Sequence, residues 1–143
     1  MKPFSLATVL NHRKRLLDIA RGRFAEAQAA YAQARERLER CRAERADLIE
    51  RLAALQRAGI DIDTHIRFSN RIDLLLTEAQ RLQHDLQKKH ELVLRERTHL
   101  LQKSKEHRVL EKLKERQDSD WRHYLDKKEA KMLDEIALLS RNR

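Results

Sequence analysis

The chain has 143 residues, 38% of them charged and only 4% aromatic, and its mean hydropathy is −0.81, a balance that excludes a compact globular core. Two glycines and one proline leave almost nothing to interrupt a helix, and the dominant residues Ala, Leu, Arg, Glu, Gln and Lys are the strongest helix formers. The net charge of +9 admits nucleic acid, anionic lipid or an acidic protein surface as partners, and the single Cys41 excludes an internal disulfide.

Pro3 and Ser5 suit a helix entry, because proline is tolerated in the first turn and serine can cap a free N–H group. From Leu10 a heptad runs without a slip. Its a positions are Leu10, Leu17, Phe24, Tyr31, Leu38, Arg45 and Leu52, and its d positions are Arg13, Ala20, Ala27, Ala34, Cys41, Leu48 and Leu55. Only the two arginines break the apolar series. Such regularity argues against disorder, which carries few apolar residues and no period. The small d residues predict close approach of a partner helix.

The segment Ala58 to Thr64 holds the best turn chemistry in the chain. Gly59 can take a positive φ, and Asp61, Asp63 and Thr64 are candidate N-caps for a second helix. That helix carries apolar positions Ile72, Leu75, Ala79, Leu82, Leu86, Val93, Leu100, Leu110 and Leu113. Its seam is weaker, since Lys89, Glu96, Lys103 and His107 fall where a strict heptad wants apolar groups, although long stems can cover apolar surface while their charges reach water.

The expected fold is therefore all-α: two long helices forming an antiparallel coiled-coil hairpin with a C-terminal helical overhang. It forms one coiled-coil domain over 1–143, with a helix at 5–57, a turn at 58–63 and a helix at 64–141. At 1.5 Å per residue these helices differ in length by tens of ångströms, and the hairpin scatters as a rod roughly 100 to 120 Å long. Residues after Gln117 then have no partner in their own chain. They are not polar: Trp121, Tyr124, Leu125, Met132, Leu133, Ile136, Leu138 and Leu139 lie there, and positions 121, 125, 128, 132, 136 and 139 form one stripe interrupted only by Lys128. An uncovered stripe of this size marks a binding site, or a self-associating end.

No catalytic constellation is present, and no cofactor or metal is expected. The seven histidines, at 12, 65, 84, 90, 99, 107 and 123, include no i, i+4 pair that would aim two imidazoles at one metal. Asp134 and Glu135 are adjacent, so on a helix they point apart and cannot work as a paired acid and base. Cys41 occupies a seam position and is expected to be a packed thiol. No glycine-rich loop is available to cradle a phosphate. The apolar run Phe4 to Leu10 is too short for a secretory signal and no stretch approaches the roughly 20 apolar residues of a membrane span, so a cytoplasmic protein is expected.

The opening Lys2-Pro3-Phe4-Ser5-Leu6 with Val9-Leu10 and Arg13, the segment Val109-Leu110-Glu111-Lys112-Leu113-Lys114-Glu115-Arg116, and the ending Lys128-Glu129-Ala130-Lys131-Met132-Leu133-Asp134-Glu135-Ile136 resemble the flagellar export protein FliJ family. The stalk proteins of injectisome-type type III secretion share that architecture. The resemblance implies an antiparallel coiled coil similar to the central stalk of rotary ATPases. It implies association with the hexameric export ATPase, stimulation of that enzyme, linkage to the export-gate membrane protein, and a part in escorting export chaperones. It places the protein in the cytoplasm, peripheral to the inner membrane at the export apparatus. Carried onto this chain, the ATPase-ring contact falls on Trp121, Tyr124, Leu125, Met132, Leu133, Ile136 and Leu139, and the export-gate contact on Cys41, Leu48, Phe68, Ile72, Leu75 and Ala79.

Three other readings compete. An injectisome-type stalk differs only in its system. A nucleic-acid-binding coiled coil is motivated by the charge and the cluster Arg13, Lys14, Arg15, Arg21 and Arg23, but basic and acidic residues are interleaved, 13 against 7 in residues 1–59 and 19 against 16 in residues 60–143. A plain structural spacer would need no apolar end.

Overall fold

A computed structural model describes residues 6–142; Pro3, Ser5 and the rest of the opening motif before Leu6 lie outside the described residues. Helix α1 spans Ala7–Ala58 and helix α2 spans Ile62–Arg141, and no strand occurs among the described residues. The chain divides into two compact units, one formed by Arg21–His99 and the other by Met1–Ala20 with Leu100–Arg143.

In the unit Arg21–His99 the two helices run antiparallel. Contacts climb α2 as they descend α1: Arg45 Nε donates to the Ile72 carbonyl at 3.3 Å, the Cys41 thiol to the Leu75 carbonyl at 3.4 Å, and the Tyr31 ring meets His90 at 5.7 Å. The heptad explains the packing. Every a and d position of α1 is buried or half-buried, and each fully buried residue of α1 (Leu17, Ala20, Ala27, Ala34, Leu38 and Cys41) occupies one of them. Alanine at successive d positions removes side-chain bulk, so a facing backbone can approach toward the short end of the 8–10 Å interaxial range.

Arg45, charged where an apolar group is expected, is accommodated by reaching across to a carbonyl of α2. The rim is tied by Arg71 to Glu44 at 2.9 Å and by Arg42 to the Gln83 amide oxygen at 3.0 Å. The turn has the anticipated chemistry. Gly59 has φ 91°, Asp61 accepts from the Thr64 hydroxyl at 2.5 Å, and its own carbonyl accepts the His65 N–H at 3.2 Å. The Thr64 hydroxyl, together with backbone N–H groups, holds the Asp61 carboxyl below its ordinary pKa, as expected of an N-cap.

In the other unit, Arg13 Nη1 meets Glu106 Oε2 at 2.8 Å, and Lys103 Nζ approaches the same oxygen at 3.4 Å. Arg13, the other charged seam position of α1, is thus also matched. Burial pushes the Glu106 carboxyl upward, but the Gln102 amide and the Lys103 and Arg13 cations outweigh it and leave the pKa lowered. The polar positions of the α2 seam, Lys89, Glu96, Lys103 and His107, are all half-buried, so the 3–4 spacing passes through them unbroken.

Candidate functional site

Beyond Trp121 the second helix has nothing over it. Every described residue from Arg122 onward is exposed, and the apolar ones include Met132 at 55%, Leu133 at 60%, Ile136 at 59% and Leu139 at 68%. Tyr124 and Leu125 are exposed as well, and Leu138, outside the ring-contact set, joins them. Trp121 is half-buried and stacks on Tyr124, with centroids 5.3 Å apart and planes inclined by 22°. An i, i+3 stack stiffens both rings and makes a preformed aromatic platform. The predicted ring-contact residues therefore share one helical segment, and all but Trp121 are open to a partner.

The residues carried over as gate contacts are placed differently. Leu75 is 1% exposed, Cys41 6% and Ile72 9%, while Leu48, Phe68 and Ala79 are half-buried. They are brought together, but by packing the two helices against each other. In this hairpin Leu75 offers a partner almost no surface. Burial, reinforced by Glu78 and Glu44, also pushes the Cys41 thiol above its ordinary pKa, which disfavours a reactive thiolate.

Alongside Cys41 and Leu75 runs an open groove of about 640 Å³, walled by Arg37, Arg40, Glu44, Glu78, Arg81 and Lys88. Sequence reasoning missed the apolar residues exposed near the turn: Ile62 at 71%, Ile66 at 47% and Leu74 at 62%. The i, i+4 spacing of Ile62 and Ile66 was the available signal. It falls outside the 3–4 stripe that defines the seam.

Among the described residues no group of three or more His, Cys, Asp or Glu could hold a metal, and no helix is long and apolar enough to cross a membrane. What the surface can do is bind helices or apolar grooves. The sequence matches the flagellar FliJ protein family over residues 1–143. The chain belongs to the flagellar FliJ family. FliJ-family membership places it among flagellar export proteins, in agreement with the sequence resemblance. No curated protein matches it. A solved structure of a putative YscO homolog from Chlamydia trachomatis is similar at TM-score 0.56 and 20% identity, covering 99% of this chain and 96% of that one. At that identity the likeness speaks for the fold, and it is the fold expected of the FliJ family.

Proposed function

We propose that this FliJ-family chain is the cytoplasmic stalk and adaptor of a flagellar type III export apparatus. It acts by binding rather than by catalysis. The uncovered segment of α2, through Trp121, Tyr124, Leu125, Met132, Leu133, Ile136 and Leu139, enters and stimulates the hexameric export ATPase. That uncovered apolar face carries the reading, because a spacer or a charge-driven nucleic-acid binder has no use for it. The end near the turn links to the export-gate membrane protein at the inner membrane, and export chaperones are further partners. Since Cys41, Ile72 and Leu75 are occupied in the seam, the gate meets their exposed neighbours Leu74, Ile66 and Ile62.

The experiment compares full-length protein with a chain truncated after Gln117 for helicity, thermal unfolding, ATPase binding and stimulation of ATP hydrolysis. A folded truncation that no longer binds or stimulates is the expected result. Normal stimulation by the truncated chain would refute the ring contact. Tight DNA binding with a steep salt slope, together with indifference to the ATPase, would favour the nucleic-acid alternative.

A further inference from the structure

The apolar stripe beyond the hairpin has a period of its own. Trp121 and Met132, Leu125 and Ile136, and Lys128 and Leu139 are each eleven residues apart. An eleven-residue repeat corresponds to 3.67 residues per turn, so at the step from Met132 to Ile136 the stripe departs from the 4, 3 alternation of the heptad seam. Its one charged member, Lys128, is exposed and makes no ion pair among the described residues. Its own helix cannot supply one. Tyr124, Leu125, Lys131 and Met132 occupy the positions three and four residues away, and none is acidic.

We propose that this segment pairs antiparallel with the same segment of a second copy of the chain, about a two-fold axis at Met132. Leu125 then lies level with Leu139 of the second copy, Met132 with Met132, and the stem of Lys128 with Ile136. Tyr124 and Leu133 lie on the two flanks of the stripe, and Leu133 comes within about 3 Å along the axis of Leu133 of the second copy.

The charges select this arrangement. Lys128 and Glu135 are seven residues apart and share one side of the helix, and a two-fold axis perpendicular to the plane of the pair keeps that side in common. Glu135 of the second copy therefore sits about one residue's rise, 1.5 Å, from the level of Lys128, and the ion pair forms twice. A parallel pair would set Lys128 level with Lys128 instead. Leu125, Met132, Ile136 and Leu139, all exposed in the single chain, form the paired face with the Lys128 stem and the flanking Tyr124.

Because this surface coincides with the proposed ATPase-ring contact, the dimer is a stored form that must dissociate before the stalk engages. That consequence rests on the ring reading; the dimer does not. Trp121 lies beyond the paired core and separates the two.

Sedimentation of the full chain over a concentration series tests the dimer, and cysteine cross-linking in a Cys41→Ala background tests its register. Met132→Cys should cross-link to itself. Leu139→Cys should not, but should cross-link when mixed with Leu125→Cys. Lys128→Glu or Glu135→Lys alone should weaken the dimer on the order of tenfold, and the double charge swap should restore it. A chain that stays monomeric at all concentrations, or a Leu139→Cys variant that cross-links to itself as readily as Met132→Cys, overturns the proposal. Trp121→Ala should leave the dimer intact while weakening ATPase binding. A dimer that forms as described in a chain that never binds the ATPase refutes the ring contact alone, whereas a monomer that binds the ATPase refutes the dimer alone.

Discussion

Leu75 and Leu74 are neighbours on one helix with opposite fates, at 1% and 62% exposure. Truncation of each to alanine separates seam packing from helix propensity, because both exchange the same residue types in the same helix and the propensity terms cancel. At Leu75 three buried carbons are lost, worth about 2.4 kcal/mol at about 0.8 kcal/mol per methylene. A residual cavity adds to this, and Leu→Ala changes in packed cores span about 2–5 kcal/mol. A seam between two helices is thin and flanked by an open groove, so it relaxes more readily than a closed core. The expected cost is therefore about 2–3 kcal/mol. Leu74→Ala should cost under about 0.5 kcal/mol. Urea unfolding followed by helical circular dichroism reads the difference as a midpoint lower by about 1 M for Leu75→Ala and nearly unchanged for Leu74→Ala. Equal midpoints, or the larger loss at Leu74, would refute the assignment of the seam.

The two glycines should respond with opposite signs. Gly59 has φ 91° and open space at its Cβ position, so Gly59→Val meets only backbone strain and should cost about 1–3 kcal/mol in thermal unfolding. Gly22 lies inside α1 with equal room, and Gly22→Ala should stabilise by about 0.5–1 kcal/mol in the same assay. Glu106, with a folded pKa below its ordinary 4.5, favours the folded state at higher pH, since the unfolded chain binds more protons between the two values. Its contribution is complete above about pH 4.5 and is lost as pH falls through the lowered folded value. The stability gap between wild type and Glu106→Gln, followed by thermal unfolding from pH 7 to 2, should close in that window. A gap unchanged across it would show that the Arg13 contact does not depend on the carboxylate charge.

The first helix was legible because its signal is of the simplest kind, apolar residues at fixed spacing, and the buried set from Leu17 to Cys41 falls on the expected positions. The turn was legible for a separate reason: only glycine readily adopts the φ that Gly59 takes. The second helix was harder. Its seam runs through Lys89, Glu96, Lys103 and His107, and a charged residue covering a seam with its stem gives no apolar mark in the sequence. Arg13 and Arg45 read as defects until their partners, Glu106 and the Ile72 carbonyl, are placed across from them. The gate set shows where pattern alone runs out. Ile72, Leu75 and Ala79 carry the periodicity of a seam, and only burial tells whether an apolar stripe is already covered by its own chain.

The change of period within α2 bears on the same question. Up to Trp121 the spacing 103, 107, 110, 114, 117, 121 matches the heptad of a helix wound against α1; from Trp121 the stripe positions, Lys128 among them, step 4, 3, 4, 4 and 3. A helix that merely outran its partner would have no reason to keep a stripe, and polar residues would serve it better in water. One that met a continuation of the same left-handed partner would keep the heptad. A retained stripe with an altered period suits a partner surface that tracks the helix more nearly along its axis. A second copy of the segment would meet that geometry, and its Glu135 would come to the level of Lys128.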